Sequence, residues 1–429
     1  MISTPNTILR KLNAPSELTF IKDKGFIQFA LEVEEPQALP NILNKLKKST
    51  TGLYIKTDGE NLIRNAADVE NVTVHQIPSH IKSLQKCCEW IYNCYTPNPQ
   101  YALGSIAADK TRIVINSCHS LTDGSFYQRL LQDITSSDSN HLFDSIFPLS
   151  GDLKTDLLKN EFSDFINNES TYLKKLVPFN RRDYTYIDIQ ERPDMPNPYD
   201  QLMVRLTHEL DIDQLSIYDP KTKKVKGLSE FLWTALTMSI NVINGSFGSF
   251  GLGTCMDFRR LIPSTRINNR FGSAFTDFYI TIKNPSPRMT ISNICNEFRK
   301  SFNIIKNNNG FYEQYLHPFN FPMEGRSIGS VSNVGPFEFK KPIKDIYCQF
   351  FALEKMIQNQ MQVTTLSKVR KDLGLNRCIY QYFFSPKIIS KKTGSELFQT
   401  FIYFIKNVKP YMKAGDVYNE LLNFRNSLL

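Results

Sequence analysis

The sequence lacks the long apolar runs that mark membrane-spanning and secreted chains. None of its runs approaches the roughly 18 apolar residues that a membrane helix needs, and the best candidate, Phe231–Ile243, is interrupted by hydroxyl and amide side chains. Residues 1–20 contain no apolar region of the kind found in secretory signals. We therefore expect a soluble chain with no transmembrane segment.

Cysteine pairs and metal-ligand spacings are also missing. The chain has 8 cysteines, and no two of them form a Cys-x-x-Cys pair. Free, buried thiols in a reducing compartment are the expected state, which favours a cytoplasmic protein. The histidines other than His119 show no metal-ligand spacing, so we predict no metal.

Positively charged residues are in only mild excess over negatively charged ones. Lys and Arg number 51 against 42 Asp and Glu, which gives a net charge of +9 over 429 residues. This excess is too diffuse to predict nucleic-acid binding, but it fits an anionic small ligand such as a phosphorylated cofactor. The 41% of hydrophobic residues, with 31 Phe and 19 Tyr, exclude a disordered chain and allow a large core.

Strand and helix patterns alternate along the whole chain. Period-2 alternation or short β-branched runs predict strands at 27–34, 52–56, 111–117, 202–206, 251–256, 275–282, 327–334 and 360–366. Helical spacing predicts helices at 36–46, 81–95, 228–236 and 393–406 and another from Gly124 onward, with Ser229 as an N-cap. The fold class is therefore mixed α/β.

A cluster of prolines marks the clearest boundary. Pro193, Pro196 and Pro198 fall within residues 191–200 and can continue neither a helix nor a central strand. We predict a crossover linker at 191–200, between an N-terminal domain at 1–190 and a C-terminal domain at 201–429. The length alone would also allow three domains.

The segment 118–124 (CHSLTDG) carries the clearest chemical signal. A predicted strand delivers His119 to its end, and a predicted helix begins at Gly124. Histidine can take and return a proton near neutral pH. Asp123 can hold the turn by capping the helix or by pairing with a cation, and Gly124 leaves room for a substrate or a tight backbone turn. The alternative is a His and an Asp that only satisfy a loop.

This segment resembles the HxxxDG motif of the acyltransferase superfamily that includes chloramphenicol acetyltransferase, fungal alcohol acetyltransferases, plant acyltransferases of the BAHD type and peptide-synthetase condensation domains. Residues 257–259 (DFR) and 330–335 (SVSNVG) resemble, more loosely, the DxR segment and the late strand of that superfamily. The resemblance implies two chloramphenicol-acetyltransferase-like domains with an active-site tunnel between them.

The same resemblance implies a role for each motif residue. His119 would be the general base that removes a proton from the acceptor, with no acyl-enzyme. Asp123 would point away from the substrate and pair with an arginine. Arg259 is the candidate partner, although it can equally be a surface residue, and Asp257 would be structural like Arg259.

The late strand would supply the group that binds the oxyanion. Ser332 and Asn333 match its position, and Ser330 shares a strand face with Ser332 because strand side chains alternate. A polar edge strand with no catalytic role is the alternative.

A basic loop is the candidate for contact with the donor. Lys223 and Lys224, with Lys221 and Lys226, crowd the segment before the 228–236 helix and can meet the phosphates of coenzyme A. A solvated loop is the alternative explanation.

The resemblance therefore implies an acyl-CoA-dependent acyltransferase that acts on an alcohol or amine. Acyl-CoA would be a co-substrate, with no permanently bound cofactor. We expect a monomer, because two fused domains can form the tunnel. The alternatives are a condensation-type domain that uses carrier-protein thioesters and a non-catalytic member that binds a ligand or a partner.

Overall fold

Two mixed β-sheets with helices packed on them make up the protein. The computed structural model describes residues 7–12, 15–64, 71–135, 184–188, 203–257, 273, 275–307, 326–353, 360–386 and 389–428. The strands are β1 (Thr7–Lys11), β2 (Phe26–Val33), β3 (Ile55–Thr57), β4 (Asn61–Arg64), β5 (Val74–Gln76), β6 (Gly104–Ala108), β7 (Arg112–Cys118), β8 (Tyr186–Asp188), β9 (Val204–Asp211), β10 (Tyr218–Asp219), β11 (Lys224–Val225), β12 (Phe250–Asp257), β13 (Phe275–Ile282), β14 (Arg326–Glu338), β15 (Ile343–Phe351), β16 (Gln360–Arg370) and β17 (Leu375–Phe384). The helices are α1 (Pro15–Lys22), α2 (Leu39–Ser49), α3 (Leu84–Tyr95), α4 (Gly124–Thr135), α5 (Leu228–Ile243), α6 (Ile291–Asn307), α7 (Lys391–Asn407) and α8 (Ala414–Asn426).

The two large sheets differ in size but share a mixed strand pattern. The first has the order β15-β2-β7-β6-β5, and the second has the order β13-β12-β14-β16-β17-β9 with β8 added beside β14. In the second sheet β14 runs parallel to both β12 and β16, while β13, β17, β9 and β8 pair antiparallel. Two small ribbons, β1-β4-β3 and β10-β11, complete the described strands.

Each sheet takes one strand from the other half of the sequence. β15 lies after residue 300 but pairs with β2 in the first sheet, and β8 lies before the proline cluster but pairs with β14 in the second. The two halves are therefore tied together by backbone hydrogen bonds. The 191–200 linker lies outside the described residues, so the division of the chain at that segment stays a prediction.

The helices form because their apolar positions match the sheet faces they cover. In α4, Phe126, Tyr127, Leu130, Leu131 and Ile134 are all buried, as the helical spacing predicted. Helix α5 is buried from Glu230 to Val242, so it lies inside the second core rather than on its surface. The Thr234, Thr237 and Ser239 hydroxyls donate to carbonyl oxygens of the helix itself, so this central position leaves these polar side chains with hydrogen-bond partners.

Several predicted elements differ from the structure at their ends. Residues Thr51–Leu53 form a 3-10 turn, and the strand begins only at Ile55, because Gly52 packs closely against Leu103. Helix α3 begins at Leu84, where Ser83 caps it through the Lys86 backbone N–H. The prediction of Ser229 as an N-cap is wrong.

Helix α5 begins at Leu228, and its N-cap is Gly227, which has a φ of 69°. That left-handed backbone conformation favours glycine and starts the helix one residue before Ser229. Ser229 is therefore inside the first turn, and its hydroxyl accepts a hydrogen bond from Asn333.

The described residues also bear on the membrane and cysteine predictions. No helix within them combines the length and apolar character needed to span a membrane. All 8 cysteines are free thiols, although Cys94 is exposed and Cys255 and Cys295 are half-buried rather than fully buried.

Candidate active site

His119 lies directly after β7, at the C-terminal end of the central strand of the first sheet. Its backbone N–H donates to Gly25 O at 2.8 Å, and its Nδ1 lies 2.8 Å from the Thr122 carbonyl oxygen. Because a carbonyl can only accept, Nδ1 must carry the proton, and Nε2 then carries the lone pair. The loop therefore holds the tautomer in which Nε2 can act as a base.

Aromatic rings from three distant segments surround the His119 imidazole. Phe20 on α1 lies 4.5 Å from it between ring centroids, Phe275 on β13 lies 4.7 Å away, and Phe350 on β15 lies 5.3 Å away. Phe275 belongs to the second sheet, so His119 lies where the two sheets meet. Ring contacts on several sides restrict how the imidazole can rotate.

Asp123 caps the helix that follows His119. Its side chain is buried, and Oδ1 accepts the Phe126 backbone N–H at 2.8 Å. This is N-cap geometry, and the charge of the aspartate also faces the positive end of the helix. The structure shows the capping role of Asp123, while its implied partner Arg259 lies outside the described residues.

Gly124 is the point where α4 touches the second sheet. A β-carbon built there would lie 2.5 Å from Cγ1 of Val334 on β14, so only glycine allows this approach. One turn later, Gln128 Nε2 donates to Val334 O at 2.8 Å and to Pro336 O at 3.1 Å. The register of β14 shifts between Asn333 and Gly335, and this β-bulge presents the Val334 carbonyl to α4.

A second connection between α4 and the second sheet is an ion pair. Arg129 Nη2 lies 3.6 Å from Asp257 Oδ2 at the end of β12. Asp257, for which the resemblance implies a structural role, thus has an ion-pair partner on α4, the helix that Asp123 caps.

The three oxyanion candidates on β14 lie on two different faces of the strand. Asn333 Nδ2 donates to Ser229 Oγ at 2.9 Å, and a β-carbon at Gly329 would meet Ile240, so this face is turned toward α5. Ser330 and Ser332 lie on the opposite face. Asn333 is therefore not interchangeable with Ser332, and the oxyanion role stays a prediction for the serines.

The two lysine candidates are exposed in the β10-β11 hairpin. Lys223 occupies its turn with a φ of 53°, and Lys224 begins β11. The hairpin leads into α5, whose first turn contacts Asn333 through Ser229. Contact of Lys223 and Lys224 with a phosphate stays a prediction.

Cys118 is next to His119 but is not arranged as a nucleophile. It is fully buried, and burial raises the pKa of its thiol to about 11. Ser120 Oγ donates to its Sγ at 3.2 Å. A thiol held protonated in this way is a packing residue.

Periodicity did not find the three rings around His119. Phe275 lies in a strand that alternation predicted, but alternation does not tell which distant residue the strand faces. Phe350 lies in β15, whose sequence produced no strand prediction. Within the same described set, no group of three or more His, Cys, Asp or Glu residues can hold a metal ion.

Comparison with solved structures shows which fold the chain has. Neither a protein-family model nor a curated protein matches the sequence. Among solved structures, the trichothecene 15-O-acetyltransferase TRI3 from Fusarium sporotrichioides is similar with 14% identity, a TM-score of 0.61 and coverage of 92% of this chain and 94% of that one. The chain has the chloramphenicol-acetyltransferase-like fold. This confirms the predicted fold class.

Two further structures share this fold. A mutant starter condensation domain of rhizomide synthetase RzmA, in complex with C8-CoA and Leu-SNAC, has 13% identity, a TM-score of 0.66 and coverage of 95% and 96%. The polyketide synthase associated protein 5 from Mycobacterium tuberculosis has 13% identity, a TM-score of 0.58 and coverage of 94% and 98%. Both matches extend over nearly the whole of each chain, so the fold includes both halves of this protein.

Proposed function

We propose that this protein is an acyltransferase that moves an acyl group from a thioester to an alcohol or amine. The observation that carries the proposal is the His119 imidazole, whose Nδ1 is held 2.8 Å from the Thr122 carbonyl at the junction of the two sheets. That contact leaves the lone pair on Nε2, which is the arrangement a general base requires. The fold of known acetyltransferase and condensation domains supports it.

In this mechanism the protein's own residues move one proton and bind one developing charge. His119 Nε2 takes the proton of the acceptor O–H or N–H as that atom attacks the thioester carbonyl. The Ser332 hydroxyl donates a hydrogen bond to the oxyanion that forms. When the intermediate collapses, the C–S bond breaks and the imidazolium returns the proton to the departing thiolate. The products are an ester or amide and a free thiol.

Acyl-CoA is the thioester we propose as donor. The condensation domain similar in fold was crystallised with C8-CoA, and the excess of positive charge on this chain suits a phosphorylated donor. Lys223 and Lys224 are the proposed contacts for its phosphates, and Arg259 is the proposed partner of Asp123. The domains at 1–190 and 201–429 would enclose a tunnel in a monomer that works in the cytoplasm.

Release of free thiol tests the proposal directly. The purified chain is incubated with acyl-CoAs of increasing length and with pooled alcohols and amines, and the liberated thiol is measured with a colorimetric disulfide reagent. We expect acceptor-dependent thiol release from the wild type and from His80→Ala, which changes an exposed histidine. His119→Ala should lose it. No release with any donor and acceptor would favour a non-catalytic, ligand-binding protein.

A carrier-protein thioester is the second candidate donor, favoured by the similarity to condensation domains. The same assay with an acyl-loaded carrier protein separates the two donors. Transfer from the carrier protein and none from acyl-CoA would replace the first candidate.

A further inference from the structure

Asp277 and Cys255 face each other on neighbouring strands of the second sheet. They are register partners on β13 and β12, and the Cys255 thiol donates to Asp277 Oδ1 at a distance of 2.8 Å between sulfur and oxygen. Gln362 Nε2 approaches the same sulfur at 3.8 Å. A carboxyl, a thiol and an amide thus meet on one face of the sheet.

Strand register places this group on the face that also reaches His119. Side chains alternate along β13, so Asp277 shares a face with Phe275, the ring stacked on His119. Asp277 lies about 7 Å farther along the strand than Phe275. We call Cys255, Asp277, Ser330 and Gln362 the Asp277 wall.

Ser330 belongs to the Asp277 wall because of its pairing with residues of the two neighbouring strands. It is opposite Gly253 on one side and Gln362 on the other. Ser330 is only 1% exposed, and its Oγ has no hydrogen-bond partner in the described part of the chain. A buried hydroxyl without a partner is costly unless a ligand supplies one.

Four charged side chains of the interior have an ion-pair partner of opposite charge. Glu230 pairs with Arg299, Lys368 with Asp345, Arg370 with Glu34, and Glu396 with Arg425. Asp277 is half-buried, and among the described residues its hydrogen-bond partner is a thiol while no ion pair includes it. Burial raises the pKa of Asp277, because the charged carboxylate is poorly solvated there.

We propose that the Asp277 wall binds a protonated amine of the acyl acceptor, so that the acceptor is an amino alcohol or a diamine. This inference rests on the proposed function. An ammonium would supply a counter-charge to Asp277, and its other N–H groups can donate to Ser330 Oγ and to the side-chain amide oxygen of Gln362. Tyr279 and Phe275 flank Asp277 on the same strand face, and their rings favour a cation. The reacting group then lies several carbons from the amine, toward His119.

Binding without a donor is the first test, since it does not depend on catalysis. Aminohexanol, hexanol and hexanediol are titrated by calorimetry into the wild type, Asp277→Asn and Asp213→Asn. Asp213 is an exposed aspartate and serves as the matched control. We expect aminohexanol to bind the wild type at least about tenfold more tightly than either neutral probe. Asp277→Asn should abolish this preference and Asp213→Asn should keep it.

Steady-state kinetics then test whether the Asp277 wall binds the acceptor during acyl transfer. We expect Asp277→Asn to raise KM for aminohexanol about tenfold or more, whereas Asp213→Asn should leave KM and kcat for aminohexanol unchanged. Equal binding of hexanediol and aminohexanol by the wild type would overturn the inference, even if Asp277→Asn failed to fold. Thiol release with hexanol and no preference for amines would sink the inference and leave the proposed function standing. Amine binding that depends on Asp277 but gives no thiol release would overturn the proposed function and leave the Asp277 wall as an amine site that serves no acyl transfer.

Discussion

Gly124 and Val334 are in contact across the junction of the two sheets, with no space between them for a β-carbon. A β-carbon at Gly124 would lie 2.5 Å from Val334 Cγ1 and 3.2 Å from Cγ2. Gly124 is the first residue of α4, and His119 is only five residues before it in the sequence. The close approach of helix and strand therefore determines where the His119 loop lies relative to β14.

Gly124→Ala should destabilise the protein by about 1–3 kcal/mol, because the added methyl group forces α4 and β14 apart. The double variant Gly124→Ala/Val334→Ala should recover part of the loss, since it removes the methyl groups that would collide. Urea unfolding of the three proteins measures this. Gly248→Ala is the control, because a β-carbon there would meet its nearest neighbour at an ordinary 3.7 Å. If Gly124→Ala is as stable as this control, the contact is not a constraint.

Asp123→Ala should cost about 1 kcal/mol of stability, because it removes the oxygen that accepts the Phe126 N–H. The cap alone predicts a smaller cost for Asp123→Asn, which keeps an oxygen acceptor. Chemical denaturation of both variants distinguishes this cap from the ion pair with Arg259 that the superfamily resemblance implies. If Asp123 forms a buried ion pair, Asp123→Asn and Asp123→Ala should both lower the free energy of unfolding by about 3–5 kcal/mol.

His119→Ala should keep the fold and lower the rate of thiol release by roughly 100-fold or more, the usual contribution of a general base. The wild-type rate should also fall as the pH is lowered, because a protonated imidazole cannot accept a proton. Initial rates across pH, together with thermal unfolding, check both parts. Full activity in the folded His119→Ala variant would end the acyltransferase proposal.

Ser332→Ala should lower kcat by about 100- to 1,000-fold, the range seen when one oxyanion donor is removed. Asn333→Ala is the matched neighbour on the opposite strand face. It loses the hydrogen bond to Ser229, which should cost about 1 kcal/mol of stability with little change in kcat. Should Asn333→Ala lose the rate and Ser332→Ala keep it, the oxyanion assignment has the wrong residue.

The stability of Asp277→Asn relative to that of the wild type should be higher at neutral pH than at acid pH. Burial raises the pKa of Asp277 above 3.8, so the folded protein holds this proton more tightly than the unfolded chain does. The resulting stabilisation is complete below pH 3.8 and is lost as the pH rises through the raised value. Asparagine does not titrate, so the difference in melting temperature should shrink toward acid pH. A difference independent of pH would show that Asp277 does not titrate abnormally.

The sequence by itself determined the elements whose patterns are local. Strand β13 begins and ends where alternation predicted, and α4 begins at Gly124 and buries the stripe that helical spacing identified. The motif also located His119 between a strand and a helix. Such features depend on residues two to four positions apart, so the sequence order already contains them.

Only the tertiary structure decided which distant residues meet. Cys348 pairs with Phe29 across the β15-β2 ladder, and Asp277 pairs with Cys255, although no local pattern links either pair. Phe20, Phe275 and Phe350 come together around His119 in the same way. Periodicity tells which side chains share a face of a strand, but the partner and register of that strand depend on how whole faces pack together. The surroundings of His119 therefore became defined only when both sheets had formed.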